Sequence, residues 1–372
     1  MAQSKNLATS SSLKFNSQGD FRRTLRDRAD RYFQESGLDE RDQPAMYLKT
    51  LMIFTWFVLS YVVLVFVPVP LWGKILAAVS IGFAGAGVGF SIMHDAGHGA
   101  YSKNKKINSL VFFSLDLLGG SSYLWNVKHN IIHHSFANVE GHDDDIDMGF
   151  LGRLAPEQKR YSFHRFQHIY LWFLYGMMVL KWNFYDDFNK LLRGKIGARE
   201  IPPMKKKDLA VFILGKVLFL TYVVIIPTLI YGIGLVFLFY MIATFVKGVV
   251  MATVFQLAHC VEEADWPLPD ETNRMEHDWA THQVMTTVNF APKSFFINWY
   301  VGGLNYQIEH HLFPRISHIH YPALSKIVAE TCEEFGLPYR VQPTFWGGVR
   351  SHFRWVRRLG RPTQDQLTPL PG

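Results

Sequence analysis

Cysteine is nearly absent from this chain. Of 372 residues only Cys260 and Cys332 carry a thiol, far apart and in no metal-type pair. That excludes a disulfide scaffold and a CxxC zinc site, and it fits a reducing compartment. Charge is scarce too: Asp, Glu, Lys and Arg make up 19%, against 49% apolar and 15% aromatic residues. This balance points to a membrane. The net charge is +7, and a basic excess has two usual sources, nucleic-acid binding or cytoplasmic loops facing anionic lipid. The chain lacks GxGxxG, a Walker-type phosphate loop and an internal repeat, which removes the common nucleotide-binding and solenoid classes. Residues 1–20 are Ser- and Asn-rich without an apolar core, so no signal peptide is expected and the segment reads as poorly ordered.

Long apolar runs are what the chain does have. Residues 50–69 hold no charge, and residues 75–93 are rich in Gly and Ala. Each suffices to cross a hydrocarbon core of about 30 Å, and small residues allow close helix packing in lipid. Residues 209–231 and 235–258 form a second such pair, linked around Gly232 and Gly234. The runs 107–125 and 166–185 are interrupted by Asp116, Gly119 and Gly120, or by His168 and Lys181. They read as interfacial or re-entrant pieces. Over 20–36, Phe21, Leu25, Ala29 and Phe33 recur at helical spacing, predicting an amphipathic helix that lies on its own domain or on the membrane surface. The expectation is an all-α integral membrane protein with four spans in two hairpins. Residues 1–48 would be an N-terminal segment and 49–372 one membrane domain. Lys and Arg crowd the segments outside the hairpin tips, which places both termini and the middle segment in the cytoplasm.

The histidines follow from this parity. They read His94-Asp95-Ala96-Gly97-His98, then His129-Asn130-Ile131-Ile132-His133-His134, then Gln307-Ile308-Glu309-His310-His311, with His259 ending the fourth run. Offsets of three to five residues fall on one helix face. His94 and His259 both emerge on the cytoplasmic side, where the other boxes lie, so all can meet at one membrane face. Neutral imidazole is a transition-metal ligand. The candidates His94, His98, His129, His133, His134, His259, His310 and His311 exceed what one ion takes, which implies two. Nitrogen-rich sites without Cys suit iron that binds oxygen. Beside aliphatic lipid, such a pair suggests attack on an unactivated C–H bond, which no side-chain base can deprotonate.

Weaker features remain. The run Asp143-Asp144-Asp145-Ile146-Asp147 reads as a solvated loop, with a carboxylate ligand or ligand-orienting acceptor as the alternative. Asp95 either orients the ligands beside it or caps a helix. Lys247 sits mid-span and is either functional or snorkelling. His164 and His168 read as headgroup-facing, and His318 and His320 as parts of a structural loop.

These residues resemble the membrane fatty acid desaturases. HDAGH, HNIIHH and QIEHH look like the front-end branch, in which Gln replaces the first His of the third box. DQPAMYLKT (42–50), YLWNVKHNIIHH (123–134), LAHCVE (257–262), WYVGGLNYQIEHH (299–311) and HIHYP (318–322) look like the cyanobacterial-type delta-6 acyl-lipid desaturases. The likeness covers residues 18–355. It implies four membrane helices under a cytosolic cap with a di-iron centre. The box histidines would then be Fe2+ ligands, His259 an extra ligand, and Gln307 a ligand directly or through water. It implies a cis double bond placed on the carboxyl side of an existing one, in a fatty acyl lipid or acyl-CoA, at the expense of dioxygen. The His-Pro-Gly-Gly haem motif of many front-end relatives is missing, so electrons are expected from separate ferredoxin or cytochrome b5. The acidic run departs from the delta-6 pattern and loosens the regiochemistry. A di-iron lipid hydroxylase shares the same ligands. A zinc-bound membrane receptor or transporter is the rival from another class.

Overall fold

The computed structural model describes residues 13–362 except 18 and 198. In chain order its main helices are α1 (Asp20–Ser36), α2 (Pro44–Val65), α3 (Leu71–His98), α4 (Gln167–Lys181), α5 (Lys206–Tyr231), α6 (Ile233–His259), α7 (Trp279–Thr286), α8 (Gln307–Leu312), α9 (Tyr321–Glu334) and α10 (Phe345–Leu359).

Helices α2, α3, α5 and α6 are long and apolar enough to cross a membrane. They form the two expected hairpins, but they run past the apolar stretches. α2 starts at Pro44 rather than 50, and α3 continues from 93 through His98. The reason is that a helix satisfies its own backbone hydrogen bonds wherever it goes. An apolar run marks where lipid is, not where the helix stops. Proline suits the first helical position, because its missing N–H has no partner there anyway. At the other hairpin Gly232 takes φ +74 between α5 and α6, a left-handed turn that a side chain would strain.

Helix α6 is the centre of the bundle. Gly82 of α3 lies so close that an added Cβ would meet the Ala243 carbonyl at 2.7 Å. On another side α4 crosses α6, burying Leu171, Tyr175 and Val179 while Ile169 and Phe173 stay exposed. The 107–125 run breaks into the short helices Lys105–Phe112, Ser114–Leu117 and Ser122–Trp125. Among the described residues neither stretch makes a span, as their interruptions predicted.

A cap covers one end of the spans. α1 buries Phe21 and Leu25 against Ala280 and Val284 of α7, Ile308 of α8 and Val328 of α9. It therefore packs on its own protein, which decides between its two sequence readings. Residues 1–12 lie outside the described residues. Residues 13–17 correct the expectation of a poorly ordered leader: Leu13 is buried with Val139 and Met275, and Phe15 stacks on Phe136. Strand content is minimal. Lys195–Ile196 pairs antiparallel with Arg199–Glu200, and Asn289–Phe290 pairs parallel with Val341–Gln342.

Candidate metal centre

The histidines are delivered by four helical ends. His94 and His98 close α3, one turn apart, directly after a π-helical turn at Val88–Met93. The second box lies in Asn126–His133, also π-helical, which passes into His134–Phe136. This corrects the plain α-helical spacing read from sequence. A π-turn adds a residue per turn and recurs at functional sites. Here the neighbours His133 and His134 join different groups. His259 ends α6, and His310 and His311 sit in the short α8, which is buried from Gln307 to His311.

All eight sequence candidates converge. The ligand atoms of His94, His98, His129 and His310 lie within 4.8 Å of one another, as do those of His133, His259 and His311. His134 joins His310 and His311 in a group of the same size, so it stands between the two. Gln307 belongs to the second group: its amide nitrogen is 2.9 Å from His259 Nε2 and 3.3 Å from His311 Nε2. Turning the amide over would put its oxygen at that spot. His164, His168, His318 and His320 stay outside. His164 donates to the Phe150 carbonyl and His320 to the Asp39 carbonyl.

The donor set fits metal ions. Buried polar atoms normally have partners, yet Nε2 of His98, His133 and His310 and Nδ1 of His134 and His259 have none among the described residues. His94 Nε2 faces His129 Nε2 at 3.1 Å, and His134 Nε2 faces the same atom at 3.3 Å. Meanwhile the outer nitrogens are held. His133 Nδ1 lies 3.0 Å from Asp143 Oδ2, His311 Nδ1 2.7 Å from Gln283 Oε1, and His310 Nδ1 3.3 Å from the Tyr321 hydroxyl. An acceptor facing the outer nitrogen keeps the N–H there and leaves the inner lone pair free for a metal.

Electrostatics agree. Burial, with the neighbouring imidazoles, holds His134, His310 and His311 well below the usual imidazole range, and burial brings His129 to about 4. They are in the neutral form a metal needs. For His133 burial pulls the same way, but Asp143 and Asp145 outweigh it and raise it.

Sequence reading placed the acidic run in solvent, and the structure corrects this. Asp143 is buried, and the turn after Gly141 folds the carboxylates back under the second box. Asp145 Oδ2 comes 3.7 Å from His133 Nδ1 and 3.9 Å from His129 Nδ1. Lys128 sits 2.6 Å from Asp145, and Lys190 2.6 Å from Asp144. Burial works against the charge on Asp145, but Lys128 wins and keeps its carboxyl well below the usual range. Asp95 is likewise buried: it accepts from His318 Nδ1 at 2.9 Å, tying α3 to the loop after α8. Sequence reasoning missed Gln283, Tyr321 and Asn138. Asn138 takes φ +58 and donates to the carbonyls of His259, Asp265 and Thr286, locking the second box to the end of α6.

A model of the fatty acid desaturase family matches residues 70–343. The chain belongs to that family. It is 39% identical to an sn-1 linoleoyl-lipid 6-desaturase of Synechocystis sp., over 95% of this chain and 99% of the relative. A protein of the same description from Arthrospira platensis is also 39% identical, over 95% and 96%. An acyl-lipid (8-3)-desaturase of Physcomitrium patens is 38% identical, over 92% of this chain and 72% of its own length. The desaturase is thus an oxidoreductase of lipid metabolism, a membrane protein, with a histidine-built metal site. A cavity of about 210 Å³ is lined by His94, His129 and Gln307, with Met93, Trp182 and Met251 as an apolar wall. Lys128, Asp145 and Lys190 also line it. A cavity with one apolar wall and a rim of charges suits an acyl chain carrying a polar head.

Proposed function

We propose that this desaturase puts a cis double bond into a linoleoyl chain carried by a membrane lipid, at the delta-6 position, between the carboxyl end and the double bonds already present. The observation that carries it is a pair of adjoining histidine groups beside a cavity with an apolar wall, which His94, His129 and Gln307 help to line. His94, His98, His129 and His310 would hold one Fe2+, and His133, His259 and His311 the other, with His134 between them and Gln307 beside the second. Residues 49–372 act as one membrane domain and 1–48 as its N-terminal segment. The cap and both termini face the cytoplasm, as the distribution of Lys and Arg outside the hairpin tips supports.

The overall reaction removes two hydrogens from adjacent methylenes, takes up one dioxygen, two electrons and two protons, and releases two waters. When bound, the two irons supply the reductive activation of dioxygen that an unactivated methylene requires. The chain's own part is placement and exclusion. Met93, Trp182, Met251 and Phe255 present an apolar wall that holds methylenes and keeps bulk water out. Asp143 and Gln283 hold the outer nitrogens of His133 and His311 and so aim their rings. The electrons would come from a separate protein, ferredoxin or cytochrome b5, and an acidic carrier would suit the chain's net charge of +7.

The test is expression in a host that makes no polyunsaturated lipid, fed linoleate, with double bonds mapped by mass spectrometry. A new double bond at carbon 6, with two irons per chain in the purified protein, is the expected result. A hydroxylated product, or one zinc and no iron, would overturn it.

A further inference from the structure

Lys49, Lys74 and Lys216 lie within the spans, and each is satisfied. Lys49 Nζ lies 2.9 Å from His318 Nε2. Lys74 donates to the carbonyls of Val63, Leu64 and Val67 and to the Tyr231 hydroxyl. Lys216 donates to the Gly119 and Asn183 carbonyls and pairs with Asp187 at 3.1 Å. Lys247 differs: it has no hydrogen bond, ion pair or ring contact among the described residues.

It also stands in a particular place. A cavity of about 80 Å³ lies among α2, α3, α5 and α6, with Phe57, Tyr61, Phe239 and Lys247 in its wall. A narrow one of about 20 Å³ continues from Lys247 to Gly89, Met93, Trp182 and Met251. Those last residues also line the cavity at the histidines. The three spaces stand in series, with the lysine between the outer two. Its stem depends on Gly85, where a Cβ would lie 3.2 Å from Lys247 Cδ. Gly85 precedes His94 by nine residues on α3, about 13 Å of helix.

An unpartnered ammonium within a membrane is expensive to keep and marks function. We propose that this channel takes the methyl-side part of the acyl chain, and that Lys247 binds the π electrons of the double bond at carbon 12, which a linoleoyl chain carries and an oleoyl chain lacks. The inference rests on the desaturase reading above. There the new bond forms on the carboxyl side of the old one, so the old one lies beyond the metals, in the channel. A cation is attracted to a π cloud, the more so when both are out of water. A saturated segment offers nothing to the charge, and a polar group left unpaired is how a site rejects the wrong ligand. Lys247 is therefore a specificity residue, not a catalytic one.

The experiment feeds oleate and linoleate together to cells expressing the full chain. It reads the ratio of the two delta-6 products by mass spectrometry, with membrane-bound protein measured by immunoblot. In Lys247→Met the preference for linoleoyl over oleoyl should fall about fivefold, the size of a weak cation–π contact, while Lys247→Arg should keep it. Lys247→Gln, of similar length and polarity, is the second neutral variant and is read the same way. An unchanged ratio in either neutral variant overturns the proposal, and so does loss of the preference in Lys247→Arg. If the unaltered protein makes no double bond, the desaturase reading itself has failed. If it desaturates and the neutral variants keep the preference, only the subsite has.

Discussion

The two histidine groups are built differently. His133 and His311 of the second are fully buried, and their outer nitrogens meet a carboxylate and an amide, Asp143 and Gln283. The first group meets the cavity through His94 and His129, and His129 stacks on Trp125 at 4.4 Å. The second group is anchored from behind by two such partners, whereas in the first Tyr321 backs His310 while His94 and His129 border the space where an acyl chain would lie. The difference matches a division of labour between holding and presenting. A ligand whose outer nitrogen is fixed keeps its ring angle whatever enters the cavity. A ligand at the cavity wall must yield room to substrate.

The largest effect should come from a residue both groups share in part. His310 belongs with His94, His98 and His129, and also with His134 and His311. His310→Ala should abolish desaturation, by more than about a hundredfold, since even residues behind a ligand cost 10- to 100-fold. Iron per chain should fall along with product. Loss of one iron of the two would show the groups to be independent, and full iron content would show that His310 is no ligand. The next effect separates them. Asp143→Asn keeps the shape but weakens the grip on His133, and should cost about tenfold or more in activity or metal affinity. Asp145→Asn, farther from both rings, should cost less. Equal losses would mean that the acidic run acts as a field and not through one hydrogen bond.

The spans were legible because lipid imposes one rule on every helix that crosses it. Their ends were not, since nothing in lipid tells an α3 that it must stop at 93 or reach His98. The histidine boxes stood out because their spacing is local. What stands behind them did not. Gln283 and Tyr321 reach their histidines across 28 and 11 residues of chain and carry no spacing signal. The acidic run looked like solvent-facing loop because charge usually is. Its burial depends on Lys128 and Lys190, and only the fold reveals that pairing. The π-turns were invisible for another reason: periodicity arguments assume 3.6 residues per turn.

Asn138 offers a smaller break. It takes a left-handed φ and ties three carbonyls together, that of His259 among them. Asn138→Gly keeps the backbone and loses the hydrogen bonds, whereas Asn138→Ala loses both. Thermal unfolding in detergent should show Ala the less stable by about 1 kcal/mol, the left-handed penalty. Equal midpoints would assign the whole role to the amide.

The smallest change is the one at Gln307. Its amide sits where an imidazole could bind between His259 and His311, at 2.9 and 3.3 Å from their Nε2 atoms. It also lines the cavity with His94 and His129, so it is the one member of the second group that borders the chain's space. Gln307→His should tighten iron at the second group, because imidazole binds iron more strongly than an amide does. It should cost activity only about threefold, because the ring fills part of a position that a weak ligand leaves exchangeable. Iron retention against a chelator and product formation would therefore move in opposite directions. Both rising together would mean that Gln307 is merely a poorer ligand. Both falling would mean that the amide's hydrogen bonds to His259 and His311 hold the second group in shape.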